Sequence, residues 1–491
     1  MNKKVAQYIN SIKGKNIHIV GTSGAEGAAI INFLYKNGIK TITAHDFQPD
    51  LPSFRKRFKQ TNSTLTPKQR AKILKNIINN DIKLHLKDSY LENILDADLI
   101  FLTSAWYIYP PNFPKIQQAI DKKIAISGLT KLYFDLAPCP IIGITGSQGK
   151  STVTTLVTKL MQNSGKKIYV GGNIRDIYDQ LLEKIDQIKK DNYIILEISN
   201  RQLTIDLQTS PHIATITNIY PNHIEEHGSY HKYKQIKESI LKHQTHKDFA
   251  ILNYDNPITK KLSLKYPSQK ILFSTRYLSH GPHIENDQII YKSKPLINLN
   301  EIKLIGNHNL SNILTALATI QPLNLSAKKI VQTLKKFTGI PHRLQKVAVI
   351  KQVTYIDDLK SSTPTSTLVA LKAILTNFPT KLFPTNAPPT IHLIIGGNHK
   401  NVSYEKLARY VNHKNIIIHT LTGTASDELL AELKEINSKN QIIKHHNIFS
   451  CIENIHINSK PDDTVLLSPA GAEFQQLHLA NKYSLKSLIK K

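Results

Sequence analysis

The stretch Pro140 to Gly165, PIIGITGSQGKSTVTTLVTKLMQNSG, runs from an apolar strand through a glycine-rich turn straight into an amphipathic helix. So short and apolar a strand suits the middle of a parallel sheet, covered on both faces. The helix carries Val153, Leu156, Val157, Leu160 and Met161 on one stripe, and Gly165 ends it. Between them stand Gly146, Ser147, Gln148, Gly149, Lys150, Ser151 and Thr152. Backbone N–H groups and the dipole at a helix start attract anionic oxygens, Lys150 adds a point charge, and Ser151 can ligate Mg²⁺. The longer GxxxxGK[ST] spacing fails because Ile144 holds its first glycine position, leaving GxxGKST. A glycine-rich turn with a chance lysine is the bland alternative. The strand–turn–helix context favours a nucleotide triphosphate site.

The same strand, turn and helix pattern recurs along the chain, which predicts α/β architecture with largely parallel sheets. NIHIV (Asn16 to Val20) is followed by GTSGAEG, a helix stopped by Gly38, and the strand TITAHD ending on Asp46. An acid about twenty residues after a glycine turn is a dinucleotide-fold pattern. Here Gly21, Gly24 and Gly27 are spaced GxxGxxG, and a merely tight turn accounts for them equally. A last α/β unit begins near Gly339, with strands around VTYIDD, IHLIIGG, NIIIHTL and DTVLLSPAG. The expected organisation is a Rossmann-like N-terminal domain (1–129), a central P-loop ATPase-like parallel sheet (130–338) and a C-terminal Rossmann-like α/β domain (339–491). Thr376 to Thr390 reads as a surface loop.

Length agrees with this, since 491 residues suffice for about three domains with their own cores. Two cysteines exclude a disulfide framework and a zinc site built from cysteine alone. The basic start lacks a long apolar stretch and a cleavage site, and no run is long enough to span a bilayer. A cytoplasmic chain without membrane insertion is expected. The net charge of +28 raises nucleic-acid binding, but lysine is spread evenly along the chain. Anionic small substrates suit such a surface as well.

Further segments follow the phosphate loop in a telling order: ILEISNRQL, TNIYPNHIEEHGSYHKYKQIKESIL, GNHNLSNILTALA, GIPHRLQ, YIDDLKSSTPTST, LIIGGNHK and VLLSPAGAEFQQL. In this order they resemble the Mur ligase family, and GIPHR, YIDDLKSS and LLSPA resemble its D-glutamate-adding branch. The resemblance covers essentially the whole chain. It implies an ATP- and Mg²⁺-dependent ligase that activates a carboxylate as an acyl phosphate and joins it to an amine. Its substrates would be UDP-N-acetylmuramoyl-L-alanine and D-glutamate, in peptidoglycan precursor synthesis, and a monomer without nucleic acid is expected.

Residue by residue, the resemblance places Glu197 and Ser151 on one Mg²⁺ and His223 on a second, supported by Lys237 as a carbamate. By its surroundings alone Lys237 reads as a solvated helix lysine. Asn309, Asn312, Arg343, Asp358 and Lys360 would serve ATP, although Arg343 would equally suit a hinge salt bridge. Asp46 would face UDP; Asn173, Ser199 and Gln202 would face the muramoyl part, with Asn173 alternatively a turn residue. Ser362 and Lys400 would hold the incoming glutamate. Closure of the last domain would bring Arg343, Asp358 and Lys400 to the site.

The chain departs from the family at several points. Asn222 replaces the usual Asp, Asn200-Arg201 replaces Ser-Phe, and Trp106 stands in a usual Ser-Pro-Gly turn. Glu473 occupies a serine position in the amino-acid pocket, and Ala480 an aromatic one. An acid facing an acidic substrate weakens binding unless paired. Glu473 therefore turns away, pairs with Lys400, or marks a different amino acid. Other readings are a ligase for L-glutamate or a non-acidic residue, an NAD-dependent oxidoreductase using the first glycine turn, and a nucleic-acid-binding ATPase.

Overall fold

The computed structural model describes residues 2–78, 82–108, 112–173, 181–222, 224–304, 306–375, 390–400, 402–412 and 414–472. The predicted surface loop at Thr376 to Thr390 lies almost wholly outside them. The chain divides into two compact units. One is Met1–Ile284 with Ile290–Lys294 and Ile313–Ile330; the other is Glu285–Ile289 with Pro295–Asn312 and Val331–Lys491.

The first unit holds two parallel sheets. Strands β1 (Ile17–Val20), β2 (Ile42–His45), β3 (Ile82–His85), β4 (Leu99–Leu102) and β5 (Ala125–Ser127) form a five-stranded sheet ordered β3-β2-β1-β4-β5. Strands β6 (Ile141–Thr145), β7 (Ile168–Gly172), β8 (Tyr193–Glu197), β9 (Ile213–Ile216), β10 (Phe249–Asn253) and β11 (Gln269–Phe273) form a six-stranded sheet ordered β11-β10-β9-β6-β8-β7. Every residue of β1, β4, β6 and β9 is buried, as their unbroken apolar runs require. One continuous apolar core runs from Val5 through Leu132 and Leu182 to Leu262, so both sheets share it.

Strand order reverses at β1, which lies between β2 and β4, and at β6, which lies between β9 and β8. Helices diverge to opposite faces at such points and leave a crevice at the carboxyl ends of the strands. Both glycine turns of the sequence sit there. After β1, helix α1 (Ala25–Lys36) begins; after β6, helix α2 (Lys150–Asn163) does. The predicted stripe of α2 is buried throughout, and Gly165 leaves the helix at φ +80°. The GxxGxxG spacing has a packing cause at Gly27, where a Cβ would lie 2.6 Å from the Gly21 carbonyl oxygen. Trp106 belongs to a small core beside β4, with Ile116 and Ala119, and Asn112 donates to its carbonyl.

In the second unit, β12 (Gln345–Ile350), β13 (Val353–Asp357), β14 (Ile391–Gly396), β15 (Ile416–Thr420), β16 (Ile442–Lys444) and β17 (Thr464–Ala470) form a sheet ordered β12-β13-β17-β14-β15-β16. Only the edge strand β12 is antiparallel, to β13. Separate apolar clusters cover the two faces, one around Leu393 and Leu429 and the other around Tyr355 and Ile452. This is the α/β class expected from the sequence.

Candidate active site

The phosphate loop is held in shape by its own unit. Gly146 adopts φ +144°, and a Cβ there would fall 2.0 Å from Thr217 Oγ1, so only glycine fits. Gly149 turns into α2 at φ +84°. The Ser147 N–H donates to the Asn218 carbonyl and the Gln148 N–H to Asn218 Oδ1, each over 2.9 Å. Lys150 Nζ folds back on the Gly146 and Ser147 carbonyls at 3.0 and 3.2 Å, within reach of anything seated in the loop. Ser151 and Thr152 open α2 half-buried. The Ser147 hydroxyl has a scaffolding place: it donates to the Tyr220 carbonyl and accepts from the Tyr220 N–H. With its proton so placed, it accepts from the Tyr233 hydroxyl at 2.9 Å.

Tyr233 lies on α3 (Tyr230–Glu238), which also carries Lys237 one turn on. Lys237 is not a solvated helix lysine: its side chain is fully buried. The apolar side of α3 faces inward at this turn, so the amine points into the crevice after β6. Lys237 Nζ donates to Thr145 Oγ1 at 2.9 Å, and Thr145 Oγ1 donates to the Ile198 carbonyl at 2.7 Å. Burial first, then the positive charge of Lys150, hold its pKa well below the ordinary lysine value; Glu197 opposes them. Burial of this kind favours the neutral, nucleophilic form of the amine.

Glu197 ends β8 beside β6 and is 1% exposed. Asn173 Nδ2 donates to its Oε1 at 3.3 Å, and the Asn173 N–H to its carbonyl at 2.7 Å. Gly172 lets the chains approach so closely, because a Cβ there would meet the Glu197 carbonyl oxygen at 2.1 Å. Asn173 thus positions the carboxylate, a role its sequence surroundings did not reveal. Ser199 and Gln202 close a small turn, with Gln202 Oε1 accepting from the Ser199 N–H and hydroxyl. Gln202 Nε2 donates to Glu26 Oε1 at 3.0 Å, and the Ser104 N–H donates to the other oxygen of Glu26. Glu26, which the sequence reading passed over, therefore ties the first glycine turn to the segment after β8.

The departures Asn200 and Arg201 have partners of their own. Asn200 contacts His227 Nε2 at 2.7 Å, and Arg201 makes a forked pair with Glu226 at 2.9 and 2.6 Å. Asp46 is buried after β2, accepting from the Ser23 and Gln48 N–H groups at 2.6 and 3.3 Å. Burial raises its pKa against those hydrogen bonds.

In the second unit, Asn309 and Asn312 meet on α4 (Asn307–Ile320), Asn312 Nδ2 donating to Asn309 Oδ1 at 3.0 Å. The GIPHR loop is fastened to the aspartate pair at the end of β13. His342 Nδ1 lies 2.8 Å from Asp357 Oδ2, and the Leu344 N–H donates to Asp358 Oδ1 at 3.1 Å. Asp358 also accepts from the Ser468 hydroxyl at 2.8 Å, and burial pushes its pKa up to about 6 against these bonds and the charge of Arg343. Arg343 and Lys360 stand exposed beside it. Lys400 Nζ donates to Ser362 Oγ at 2.9 Å, so the two residues expected to hold an amino acid are together. His223 and Glu473 lie outside the described residues.

Mg²⁺ takes hard oxygen donors and keeps several waters. Ser151 and Glu197 supply such donors at the ends of neighbouring elements, and a neutral Lys237 amine can be converted to a carboxylate-bearing carbamate. The residues present fit that cation. Chemically, the arrangement can cradle a triphosphate, neutralise its charge and hold a second carboxylate in line with it.

Similarity to known proteins agrees with this geometry. Residues 144–320 match the model of the Mur ligase middle domain. The UDP-N-acetylmuramoylalanine–D-glutamate ligase of Symbiobacterium thermophilum is 32% identical over 394 residues, 79% of this chain and 82% of that protein. The Clostridium tetani protein of the same name is 29% identical over the full length of both chains. In fold, the MurF ligase of Thermotoga maritima in complex with ADP is similar at TM-score 0.58 and 17% identity, covering all of both chains. The UDP-N-acetylmuramate–alanine ligase of the same organism is similar at TM-score 0.54 and 17% identity, over 95% of this chain and all of that one. On its sequence relatives, its fold and its phosphate loop alike, the chain belongs to the Mur ligase family.

Proposed function

We propose that this ATP-dependent, amide-bond-forming ligase adds D-glutamate to UDP-N-acetylmuramoyl-L-alanine. The names of its sequence relatives support the substrates. The observation that carries the mechanism is the buried Lys237 amine beside Thr145, Lys150 and Glu197. The γ-phosphoryl group of ATP passes to the terminal carboxylate of the nucleotide sugar, giving ADP and an acyl phosphate. The amine of D-glutamate attacks that carbonyl, the C–N bond forms, and phosphate leaves as the C–O bond breaks. Lys150 and the loop N–H groups bind the phosphates, and Asn173 orients Glu197. Ser151, Glu197, His223 and Lys237 as its carbamate would hold Mg²⁺, which when bound neutralises charge on the phosphoryl group and the accepting carboxylate.

In this reading Asn309, Asn312, Arg343, Asp358 and Lys360 serve ATP. Asp46, Ser199 and Gln202 shape the nucleotide-sugar site, and Ser362, Lys400 and Glu473 line the amino-acid site. Residues 1–129, 130–338 and 339–491 form the UDP-, ATP- and amino-acid-binding domains of a cytoplasmic monomer. Among the described residues no helix is long and apolar enough to cross a membrane.

Labelling the substrate's terminal carboxylate with ¹⁸O tests the chemistry. One label should appear in the released phosphate for each amide formed. Unlabelled phosphate would rule out an acyl phosphate.

A further inference from the structure

The second unit carries a row of histidines that runs from β14 to the far edge of its sheet, and none of them has been assigned a role above. His392 on β14, His419 on β15 and His445 just after β16 stand side by side. His392 Nδ1 lies 3.0 Å from His419 Nε2, and His419 Nδ1 lies 2.9 Å from His445 Nε2. At the inner end, His392 Nε2 reaches Asp463 Oδ2 at 3.3 Å. Beneath the outer end lies Cys451 on α5 (Ile448–Asn458), itself fully buried. One donor atom each of His419, His445 and Cys451 lies within 4.8 Å of the others.

The hydrogen-bond order fixes the tautomers. A carboxylate only accepts, so His392 carries its proton on Nε2 and leaves Nδ1 as an acceptor. His419 must then donate from Nε2 and present the lone pair of Nδ1 toward His445 and the cysteine sulfur. A carboxylate–histidine relay behind a ligating histidine is the usual outer support of a metal site. His445 is half-buried, so it can move its own proton to Nδ1 and offer Nε2. Cys451 sits in the first turn of α5; burial pushes its thiol pKa up to about 12, so the proton leaves only as a metal binds the sulfur.

The first unit provides an internal comparison. His18, His45 and His85 form the same kind of row on β1, β2 and β3, with His18 Nδ1 2.9 Å from His45 Nε2. There, however, His45 Nδ1 accepts the Leu91 N–H at 3.2 Å while its Nε2 meets His18, so both ring nitrogens are engaged within the protein. A histidine row alone is therefore a packing device. In the row that ends on a cysteine, the acceptor nitrogen of His419 is engaged by a second imidazole, itself a possible ligand, with the cysteine sulfur beside them.

We propose that His419 Nδ1, His445 Nε2 and Cys451 Sγ form a second metal site, for a soft divalent cation of the zinc type. Two imidazoles and a thiolate suit Zn²⁺ and do not suit Mg²⁺. Binding forms two metal–nitrogen bonds and one metal–sulfur bond, and releases the thiol proton to solvent. Water fills the fourth position on the half-open His445 side. A cavity of about 660 Å³, lined by His392, His419, Asn454, Lys460 and Asp463, opens onto the inner two histidines of the row. The ion would tie β15, the turn after β16 and α5 together.

Cobalt titration of the chelator-stripped full chain, in excess Mg²⁺, tests this. One equivalent of Co²⁺ should give a sulfur-to-cobalt charge-transfer band that Zn²⁺ abolishes. Cys451→Ser should remove the band, with Cys139 still present. His445→Asn, at the rim of the core, should weaken binding by more than the roughly 10–100-fold typical of losing an outer partner. His85→Asn, the matching position of the other row, should leave binding unchanged. Absence of the band in the wild-type chain, or its survival in Cys451→Ser, would overturn the site. If Cys451→Ser does not fold, an unchanged Co²⁺ affinity in folded His445→Asn overturns it equally.

Discussion

Lys237 Nζ and Thr145 Oγ1 lie 2.9 Å apart, joining the last turn of α3 to the residue at which β6 passes into the phosphate loop. This single bond seats an amine in the crevice where a triphosphate would lie. Its burial has a consequence for stability. Between its depressed folded pKa and the ordinary lysine value the unfolded chain binds more protons than the folded one. Stability therefore rises with pH across that window, and at neutral pH Lys237 destabilises the fold. In carbon dioxide-free buffer with chelator, Lys237→Met should raise Tm at pH 7.5, with the advantage over wild type shrinking toward pH 10. The same variant should lose ligase activity by on the order of a hundredfold. Lys237→Ala should regain part of it with formate. A lower Tm at pH 7.5 together with undiminished turnover would assign Lys237 to structure alone.

Tyr233 gives a milder test of the same helix. Tyr233→Phe removes the hydroxyl that donates to Ser147 and leaves the ring packed. A lost neutral hydrogen bond is worth about 1 kcal/mol. The expected result is a KM for ATP raised roughly fivefold, with thermal stability nearly unchanged, because the loop loses one of its fastenings. Steady-state kinetics at saturating nucleotide sugar would show it, and an unaltered KM would contradict it.

Asp358 has the opposite sign from an ordinary salt-bridged acid. Its folded pKa, about 6, stands above its usual 3.8, so the folded chain holds the proton more tightly. Stability contributed by the protonated form is complete below pH 4 and is lost as pH rises to about 6. The rise from 3.8 to about 6 corresponds to roughly 3 kcal/mol at most. Asp358→Asn should therefore show little change in Tm at pH 4 and a higher Tm than wild type at pH 7.5. A lower Tm at pH 7.5 would mean that the carboxylate is stabilised by its partners.

Lys400 and Ser362 face each other over 2.9 Å. If they hold the carboxylates of the incoming amino acid, Lys400→Met removes a charge-assisted bond worth about 1.5–3 kcal/mol. KM for D-glutamate should rise roughly ten- to hundredfold while kcat changes little. A fall in kcat with KM preserved would place Lys400 at the transferring phosphate instead.

Much of this was legible in residues whose meaning is local. The glycines and lysine of the phosphate loop and the stripe of α2 announce themselves by periodicity and position; the acid ending β8 stood out only through the family resemblance. Lys237 did not: its helix segment YHKYKQIKE is polar enough to read as solvated, and only the packing of α3 beneath β6 buries the amine. Glu26 was missed because its partner Gln202 is distant in sequence and lies in a short turn that follows a strand of the other sheet. Asn173 was expected to face the muramoyl part or to serve as a turn residue, and its bonds to Glu197, which depend on β7 and β8 lying side by side, were not legible. The histidine rows escaped because each member looks like a lone polar residue in an apolar strand. Neighbouring strands must be set in register before they meet.

The most direct test is phosphate release by the purified chain with ATP, Mg²⁺ and UDP-N-acetylmuramoyl-L-alanine, across a panel of D- and L-amino acids. D-glutamate should stimulate release strongly, DNA should have no effect, and Lys150→Ala should abolish the response, a loss of a hundredfold or more, roughly 3 kcal/mol. Release stimulated by a different amino acid, or by none while ATP is still hydrolysed, would contradict the assignment.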